Sequence, residues 1–315
     1  MKRDILAAVA DSAMTTYPSR PAGRGSKRRR DTLEFGVKLL FLLCGCVAVG
    51  CVLFICIYLI VAGLPAVLEI GITDFLFGTE WAGKQGQFGI LPFILTSVAG
   101  TAGAVLVGVP VGILRAMFLA KVAPPKAARG IRNAVALLAG IPSIVYGLVG
   151  MIVLVPAIQR TFQLASGATL LAAIVVLAIM ILPSIINVSE TALRAVPREY
   201  EEASLALGAT ETETWFRVSL HAARSGVATA VVLGVGRAIG EAMAIIMVSG
   251  NVPNMPESLF APVRFLTTAI ASEMSYAAVG SLWQQALYSV GLVLFLFIMI
   301  INVILNVCIK NRKEG

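Results

Sequence analysis

The chain has 315 residues, of which 58% are hydrophobic and 13% are charged. A soluble globular domain usually carries about 25% charged residues, so this composition excludes an ordinary water-soluble protein. The net charge of +8 does not indicate nucleic-acid binding, because the basic residues flank apolar segments, as membrane topology requires.

Residues 1–36 precede the first apolar segment and include glycines, prolines and many basic residues. This composition predicts a flexible cytoplasmic tail. Its basic run at 27–30 is either a charge cluster that sets the topology or a contact for anionic lipid. The first apolar segment starts late and is long enough to cross a bilayer, so we expect an uncleaved anchor.

Six apolar segments are long enough to cross a hydrocarbon layer of about 30 Å as helices. They predict spans at residues 39–62, 90–114, 134–158, 168–189, 226–249 and 285–309. We divide the chain into a tail at 1–36, a first span with its outer loop at 37–89, a five-span core at 90–309 that contains a cytoplasmic loop at 195–221, and a second tail at 310–315.

The distribution of basic residues sets the predicted orientation. With both termini in the cytoplasm, 21 of the 25 Lys and Arg residues flank the cytoplasmic side, three lie outside, and Arg237 lies within the fifth span. This bias follows the positive-inside rule. If the polar fifth segment did not cross the membrane, the basic C-terminal tail would lie on the outer side, against this rule. We therefore predict an all-α membrane protein with six transmembrane helices.

The sequence offers no residue set for metal-dependent or nucleophilic catalysis. Cys44 and Cys46 would point about 200° apart on a helix, too far around it to share a metal ion or form a disulfide. His221 is the only histidine, and the phosphate-binding motif G-x-x-x-x-G-K-[ST] is absent from the sequence. We expect no catalytic residue, metal or cofactor on this chain, and any nucleotide chemistry on a partner.

The polar segment 195–221 predicts two short helices joined at a glycine. Pro197 and the acidic residues after it suit a first helical turn, and Gly208 suits the left-handed residue that ends a helix. Thr210 followed by Glu213 is a capping box, which predicts the start of a second helix. An amphipathic helix resting on lipid is the alternative, but an anionic leaflet would repel its glutamates.

This segment resembles the EAA loop of permease subunits of binding-protein-dependent ABC importers. The loop reads E-A-A, three residues, G, nine residues, I, one residue, L-P. The chain keeps every spacing, with Ser in the third place and His in place of the final Pro, at Glu202, Ala203, Ser204, Gly208, Val218, Leu220 and His221. In that family the first helix of the loop enters a groove of a cytoplasmic ATPase. The resemblance implies ATPase coupling through Glu202, Ala203, Ser204, Leu207, Gly208 and Ala209.

The fifth predicted span contains two charged residues, Arg237 and Glu241. An arginine in the middle of a span costs at least about 2.5 kcal/mol, so we expect it to face the interior of the helix bundle. Glu241 lies one helical turn further on, where it can pair with Arg237. The pair is either a permanent internal brace or a site where Arg237 donates hydrogen bonds to a tetrahedral oxyanion in transit.

Several runs resemble the PstC family of permease subunits, which belong to phosphate-specific ABC importers. They lie at residues 75–81, 140–147, 179–183 and 234–251. The PstA family shares the proline-serine-isoleucine-valine-tyrosine-glycine motif and the EAA loop, whereas the first and last of these runs favour PstC. The similarity extends from about residue 65 to the end. It implies the type I ABC importer fold, also called MetI-like, with six transmembrane helices.

The resemblance also implies a function and partners. The chain would be the permease subunit of an ATP-driven importer of inorganic phosphate in the bacterial cytoplasmic membrane. Arg237 and Glu241 would lie on the substrate path, with Pro142, Ser143 and Tyr146 as pathway or gate residues. Its partners would be a PstA permease subunit, two copies of the PstB ATPase, which use ATP and Mg²⁺, and the periplasmic phosphate-binding protein PstS. Import of sulfate or molybdate, and secondary anion transport without an ATPase, remain alternatives.

Overall fold

The computed structural model describes residues 24–311, with side chains for residues 34–305 and 307. The chain divides into two units, residues 1–56 and 57–315. In the first unit, the described residues belong to helix α1, Arg24–Ile70, so residues 24–36 of the predicted tail are helical. The side chains of residues 34–55 are all exposed, as in a helix that is apolar all round and surrounded by hydrocarbon.

The second unit contains the remaining described α-helices and strands, with a short 3-10 helix at Gly83–Gln85. In chain order they are α2 (Ile72–Phe77), β1 (Trp81–Ala82), β2 (Gln87–Phe88), α3 (Leu91–Met117), α4 (Pro125–Gly140), α5 (Ser143–Val149), α6 (Val155–Phe162), α7 (Leu170–Arg194), α8 (Arg198–Ala206), α9 (Glu211–Glu213), α10 (Leu220–Ala222), α11 (Arg224–Gly240), α12 (Met243–Val248), α13 (Leu266–Glu273) and α14 (Leu282–Asn311). Three π-helical turns extend α3, join α5 to α6 and join α9 to α10, at Phe118–Val122, Gly150–Leu154 and Thr214–Ser219. Strands β1 and β2 form an antiparallel hairpin in which Trp81 lies opposite Phe88.

Five helical segments among residues 24–311 are long and apolar enough to cross a membrane. They are Glu34–Ile70, Leu91–Val122, Ser143–Phe162, Leu170–Arg194 and Leu282–Leu305. A sixth is present if Glu211–Ala222 and Arg224–Gly240, which are bent by 72°, count as one broken span. The predicted all-α membrane fold is confirmed, with five membrane segments, or six if this bent pair counts as one span.

The third span begins later than its apolar run predicts. Ile141 and Pro142 are both extended, so the predicted span at 134–158 is interrupted near its start. A residue before proline is disfavoured in the helical conformation, and proline has no N–H to donate. The run before the interruption belongs to α4, in which Ala128 and Val135 are buried. The spanning helix starts only after this interruption.

Helices α3 and α7 form the centre of the core. A Cβ at Gly103, Gly108 or Gly112 of α3 would lie within 2.8 Å of an isoleucine of α7. Small residues at such positions let two helix backbones approach closely. Helix α11 packs on α7 as well, where a Cβ at Gly234 would lie 3.0 Å from Ile185. The three helices therefore form a rigid scaffold for the segments at their ends.

Helix α7 separates two polar ends of the second unit. Its last turn leads into α8, and Leu193 in that turn packs in one cluster with Leu220 of α10; we call this the loop end. Its first residues, Leu170 and Leu171, donate backbone hydrogen bonds to Ala261 and Leu259 in the chain before α13. We call this the hairpin end, because β1 and β2 also lie there. A helix of 25 residues is about 37 Å long, enough to put the two ends on opposite sides of a bilayer.

Candidate functional site

The segment 195–221 forms the helix break predicted from its sequence. Gly208 follows α8 with a φ of +88°, in the left-handed region that favours glycine. The Glu213 N–H donates to Thr210 Oγ1 at 3.3 Å, and the Thr210 N–H donates to the Glu213 carboxylate at 3.0 Å. The glycine break and the capping box are therefore confirmed.

One face of α8 is attached to the rest of the unit through Glu201. Its carboxylate pairs with Lys121, in the π-helical turn after α3, and accepts a hydrogen bond of 2.7 Å from the Ser219 hydroxyl. Partial burial raises the pKa of the Glu201 carboxyl. Hydrogen bonds from Lys121 and Ser219, with the charges of Lys121 and Arg198, outweigh this effect and hold the pKa below its ordinary value of 4.5.

The opposite face of α8 and the turn after it are exposed. Leu207 retains 90% of its accessible surface, which makes it an unfavourable residue to leave in water. Ser204 instead faces inward, where its hydroxyl lies 2.9 Å from that of Thr214. Of the predicted coupling residues, Ser204 and Ala209 are half-buried, and the exposed ones are Glu202, Ala203, Leu207 and Gly208.

A second polar cluster at the loop end surrounds Glu190, which we did not predict. Its side chain is 6% exposed and lies 2.8 Å from Arg194 and 3.4 Å from Arg132 of α4. Arg194 also donates a hydrogen bond of 3.0 Å to the carbonyl of Leu119. The cluster joins α7 to α4 and to the turn that carries Lys121. The one signal in the sequence was the spacing of four residues between Glu190 and Arg194.

The fifth predicted span is interrupted rather than continuous. Helix α11 ends at Gly240, and α12 starts after Glu241 and Ala242. Glu241 is extended, with φ −76° and ψ 130°. Its carbonyl accepts a hydrogen bond of 2.7 Å from the Thr267 hydroxyl, and its carboxylate accepts one of 3.1 Å from the Ala244 N–H at the start of α12.

This interruption separates the two charged residues that we expected to pair. Arg237 and Glu241 form no ion pair in the described structure, because Glu241 has left the helix and its carboxylate caps α12. The Arg237 guanidinium lies close enough to the Tyr146 phenol for an electrostatic interaction. The Tyr146 hydroxyl donates to the Leu138 carbonyl at 2.7 Å, near the end of α4. The charge of Arg237 therefore acts on a predicted gate residue.

The two helix breaks, before α5 and before α12, are packed against each other. A Cβ at Gly147 of α5 would lie 2.8 Å from the Cα of Ala244 in α12. Glycine is therefore required for this close approach of two backbones. Of the predicted gate residues, Pro142 is exposed, and Ser143 and Tyr146 are half-buried.

The face of α11 that carries Arg237 is open. Arg237 is half-buried, and Leu233, one turn earlier, is 52% exposed. A Cβ at Gly236 or Gly240 would have no neighbouring atom within 4 Å. An arginine facing hydrocarbon costs at least about 2.5 kcal/mol. In a membrane, this face therefore requires a polar cavity or another protein beside it.

The hairpin end is organised around Glu273, the last residue of α13. Its carboxylate accepts hydrogen bonds of 2.8 Å and 2.9 Å from the indole N–H groups of Trp81 and Trp283, and it pairs with Arg264. Arg264 also donates a hydrogen bond of 2.8 Å to the carbonyl of Asn251, just after α12. We did not predict this cluster, because its members lie 9, 10 and 192 residues from Glu273 in the sequence and follow no helical period.

Comparison with known proteins identifies the family. Residues 108–312 match the family described as binding-protein-dependent transport system inner membrane component. The probable ABC transporter permease protein YqgH of Bacillus subtilis is 38% identical, over 88% of this chain and 92% of its own length. The chain belongs to this family of inner-membrane transport components. Its members are transport subunits rather than enzymes.

Other relatives in the family are named phosphate transport system permease protein PstC. The protein from Mesorhizobium japonicum is 37% identical over 72% of this chain and 75% of its own length. The protein from Pasteurella multocida is 34% identical over 82% of this chain and 89% of its own length. These matches confirm the resemblance to importer permeases that the 195–221 segment indicates.

Two solved ABC transporters show the same fold. An inward-facing MetNI methionine transporter gives a TM-score of 0.56 at 20% identity, over 70% of this chain and 95% of that chain. A bacterial alginate transporter, in complex with its pentasaccharide-bound periplasmic protein, gives 0.60 at 16% identity, over 88% of this chain and 94% of that chain. The predicted MetI-like permease fold is confirmed.

Proposed function

We propose that this chain is the PstC-type permease subunit of an ATP-driven importer of inorganic phosphate. The observation that carries the proposal is the position of Arg237, on an open helix face in the last turn of α11 before the break. The PstC relatives support phosphate as the substrate, since they are 31% to 37% identical over 72% to 96% of the chain. The proposed location is the bacterial cytoplasmic membrane.

Arg237 has the chemistry required to bind a phosphate in transit. Its guanidinium stays charged and presents planar donors that match the oxygens of a tetrahedral oxyanion. The Glu241 carboxylate caps α12 and does not neutralise Arg237. This favours the transit site over the permanent brace. We assign Arg237 to substrate binding, Glu241 to the structure of the break, and Tyr146 to the gate beside Arg237.

A second permease subunit of the PstA type is the proposed neighbour of the open face of α11. Such a subunit would shield Arg237 from hydrocarbon and complete a polar path between the two proteins. The open space beside Gly236 and Gly240 provides room for both the neighbour and the path. Pro142 and Ser143 lie at the break of the third span, so we assign them to the same path.

The exposed face of α8 is the proposed contact with the ATPase, which would be a dimer of PstB that uses ATP and Mg²⁺. Glu202, Ala203, Leu207 and Gly208 would enter the ATPase groove. Glu201, on the other face, would pass the movement of α8 through Lys121 to α3. The loop end would then be cytoplasmic, and the hairpin end would receive PstS. Moving a doubly charged phosphate into a cell that is negative inside costs about 4.6 kcal/mol per 100 mV of membrane potential, at roughly 2.3 kcal/mol per charge. Import therefore requires an energy source such as ATP hydrolysis.

Arg237→Gln tests the substrate site. We expect the variant to assemble with its partners but to lose phosphate uptake, because the planar charged donors are gone. Arg237→Lys keeps the charge without the fork of donors and should retain only part of the uptake. Arg160→Gln, at an exposed position on α6, is the matched control and should transport normally. Unchanged uptake by Arg237→Gln would return Arg237 to a structural role.

A further inference from the structure

We propose that α13 is a brace that holds the α11–α12 break in place, and that Thr267 is its positioning residue. The inference rests on the proposed function in one respect, since it gives Thr267 a role in placing Arg237 on the substrate path. It starts from the hydrogen bond of 2.7 Å that the Thr267 hydroxyl donates to the carbonyl of Glu241. Thr267 is 8% exposed, so this contact is nearly shielded from water.

The break needs such a partner for a simple reason. Where a helix stops, its last carbonyl groups have no N–H within the helix to accept from. Buried carbonyl groups are almost always hydrogen-bonded. At this break the carbonyl of Glu241 finds its donor in a side chain 26 residues later in the sequence. Thr267 therefore stabilises the interrupted conformation over a continuous helix.

Helix α13 is rigidly attached at both of its ends. At its start, the Leu266 N–H donates a hydrogen bond of 3.0 Å to the Ser97 hydroxyl of α3, and both residues are buried. A Cβ at Gly100 of α3 would lie 2.4 Å from the Phe265 ring, so this part of the chain lies directly on α3. At its end, Glu273 is fixed by the two tryptophans and the arginine of its cluster. The Thr267 hydroxyl is thus presented from an element that cannot easily move.

The same segment also holds the far end of α12. Arg264 donates to the carbonyl of Asn251 at 2.8 Å and to its side-chain oxygen at 3.1 Å. The Val263 N–H donates to the carbonyl of Ser249 at 2.9 Å. Residues 263–273 therefore fix α12 at its first and last turns. Because Arg237 is in the last turn of α11, directly before the break, this brace sets where the guanidinium lies relative to Tyr146.

The test compares Thr267→Val, which keeps the shape but removes the hydroxyl, with Thr267→Ser, which restores it. Ser272→Ala is the matched control, because the Ser272 hydroxyl bonds only to carbonyls of its own helix. Two quantities are measured on the purified complex with its partner subunits. They are hydrogen–deuterium exchange of the amides at 241–247 and the number of phosphate ions transported per ATP hydrolysed.

We expect Thr267→Val to speed exchange at 241–247 and to lower phosphate transported per ATP about fivefold, the change that a typical hydrogen bond of ~1 kcal/mol produces. Thr267→Ser and Ser272→Ala should match the wild type, and basal ATP hydrolysis should stay constant. Unchanged exchange in Thr267→Val would overturn the brace. Faster exchange with an unchanged transport ratio would overturn the positioning role. Failure of the wild-type complex to transport phosphate would instead reject the proposed function, and exchange would still decide the brace.

Discussion

Gly208→Ala isolates the contribution of one backbone conformation to ATPase coupling. Gly208 has a φ of +88°, and a Cβ there would meet no atom within 4 Å. The substitution therefore adds no clash, and its cost is the strain of a non-glycine residue in the left-handed region, about 1–2 kcal/mol. If the free loop of the variant relaxes out of this turn and α8 must regain it to dock, this strain becomes a cost of binding, and the affinity of the ATPase for the permease should fall about 5- to 30-fold.

The assay is the binding of purified PstB to the permease complex in detergent or nanodiscs, followed by coupled ATP hydrolysis. Gly86→Ala is the control, because Gly86 has a φ of +77° and equally open surroundings, but lies at the hairpin end. It should carry the same strain and leave ATPase binding unchanged. Gly208→Pro should be more severe, since proline fixes φ near −65° and removes the N–H that donates to Leu205 at 2.9 Å.

Equal loss of ATPase binding in Gly208→Ala and Gly86→Ala would refute this reasoning, because it would show a general effect of strain rather than a docking surface. Normal binding and normal coupling in Gly208→Ala would refute it as well, because the turn after α8 would then have no part in the contact.

Two further predictions concern the contacts of α8 and of α5. The pKa of Glu201 is lower in the folded state than its ordinary value of 4.5. Its ion pair with Lys121 should therefore be fully formed above pH 4.5. The pair should be lost as the pH falls from 4.5 through the lowered pKa of the folded state. Fluorescence of the nearby Trp215 should report this loss in the wild type and not in Glu201→Gln. Gly147→Ala should force α5 and α12 apart, because its Cβ would lie 2.8 Å from the Cα of Ala244, and should cost about 1–3 kcal/mol of stability together with most of the uptake. Gly140→Ala, with no atom within 4 Å of its Cβ, should change neither thermal stability nor uptake.

Features encoded by neighbouring residues could be predicted from the sequence. The glycine break and the capping box of the 195–221 segment depend on side chains and backbone groups within three residues of each other, and both are present as predicted. The membrane segments follow from hydropathy alone. The order and approximate position of the helices are therefore determined by local sequence.

Features that depend on distant residues could not be predicted. The break after Gly240 is held by Thr267, which is distant in the sequence. The spacing of one helical turn between Arg237 and Glu241 therefore predicted an ion pair that does not form in the described structure. The hydrogen bond from Trp81 to Glu273 joins residues 192 positions apart. The interruption at Pro142 was visible as a proline, but the apolar run on both sides of it favoured one continuous span.

The most direct test of the central claim is phosphate uptake by proteoliposomes that contain the complete complex. The complex would contain this chain, a PstA subunit and PstB, with PstS supplied at the hairpin end and ATP at the loop end. We predict uptake that requires both ATP and PstS and that excess sulfate or molybdate does not suppress. Uptake of phosphate by this chain without the ATPase, or ATP-driven uptake of another oxyanion in preference to phosphate, would contradict the account.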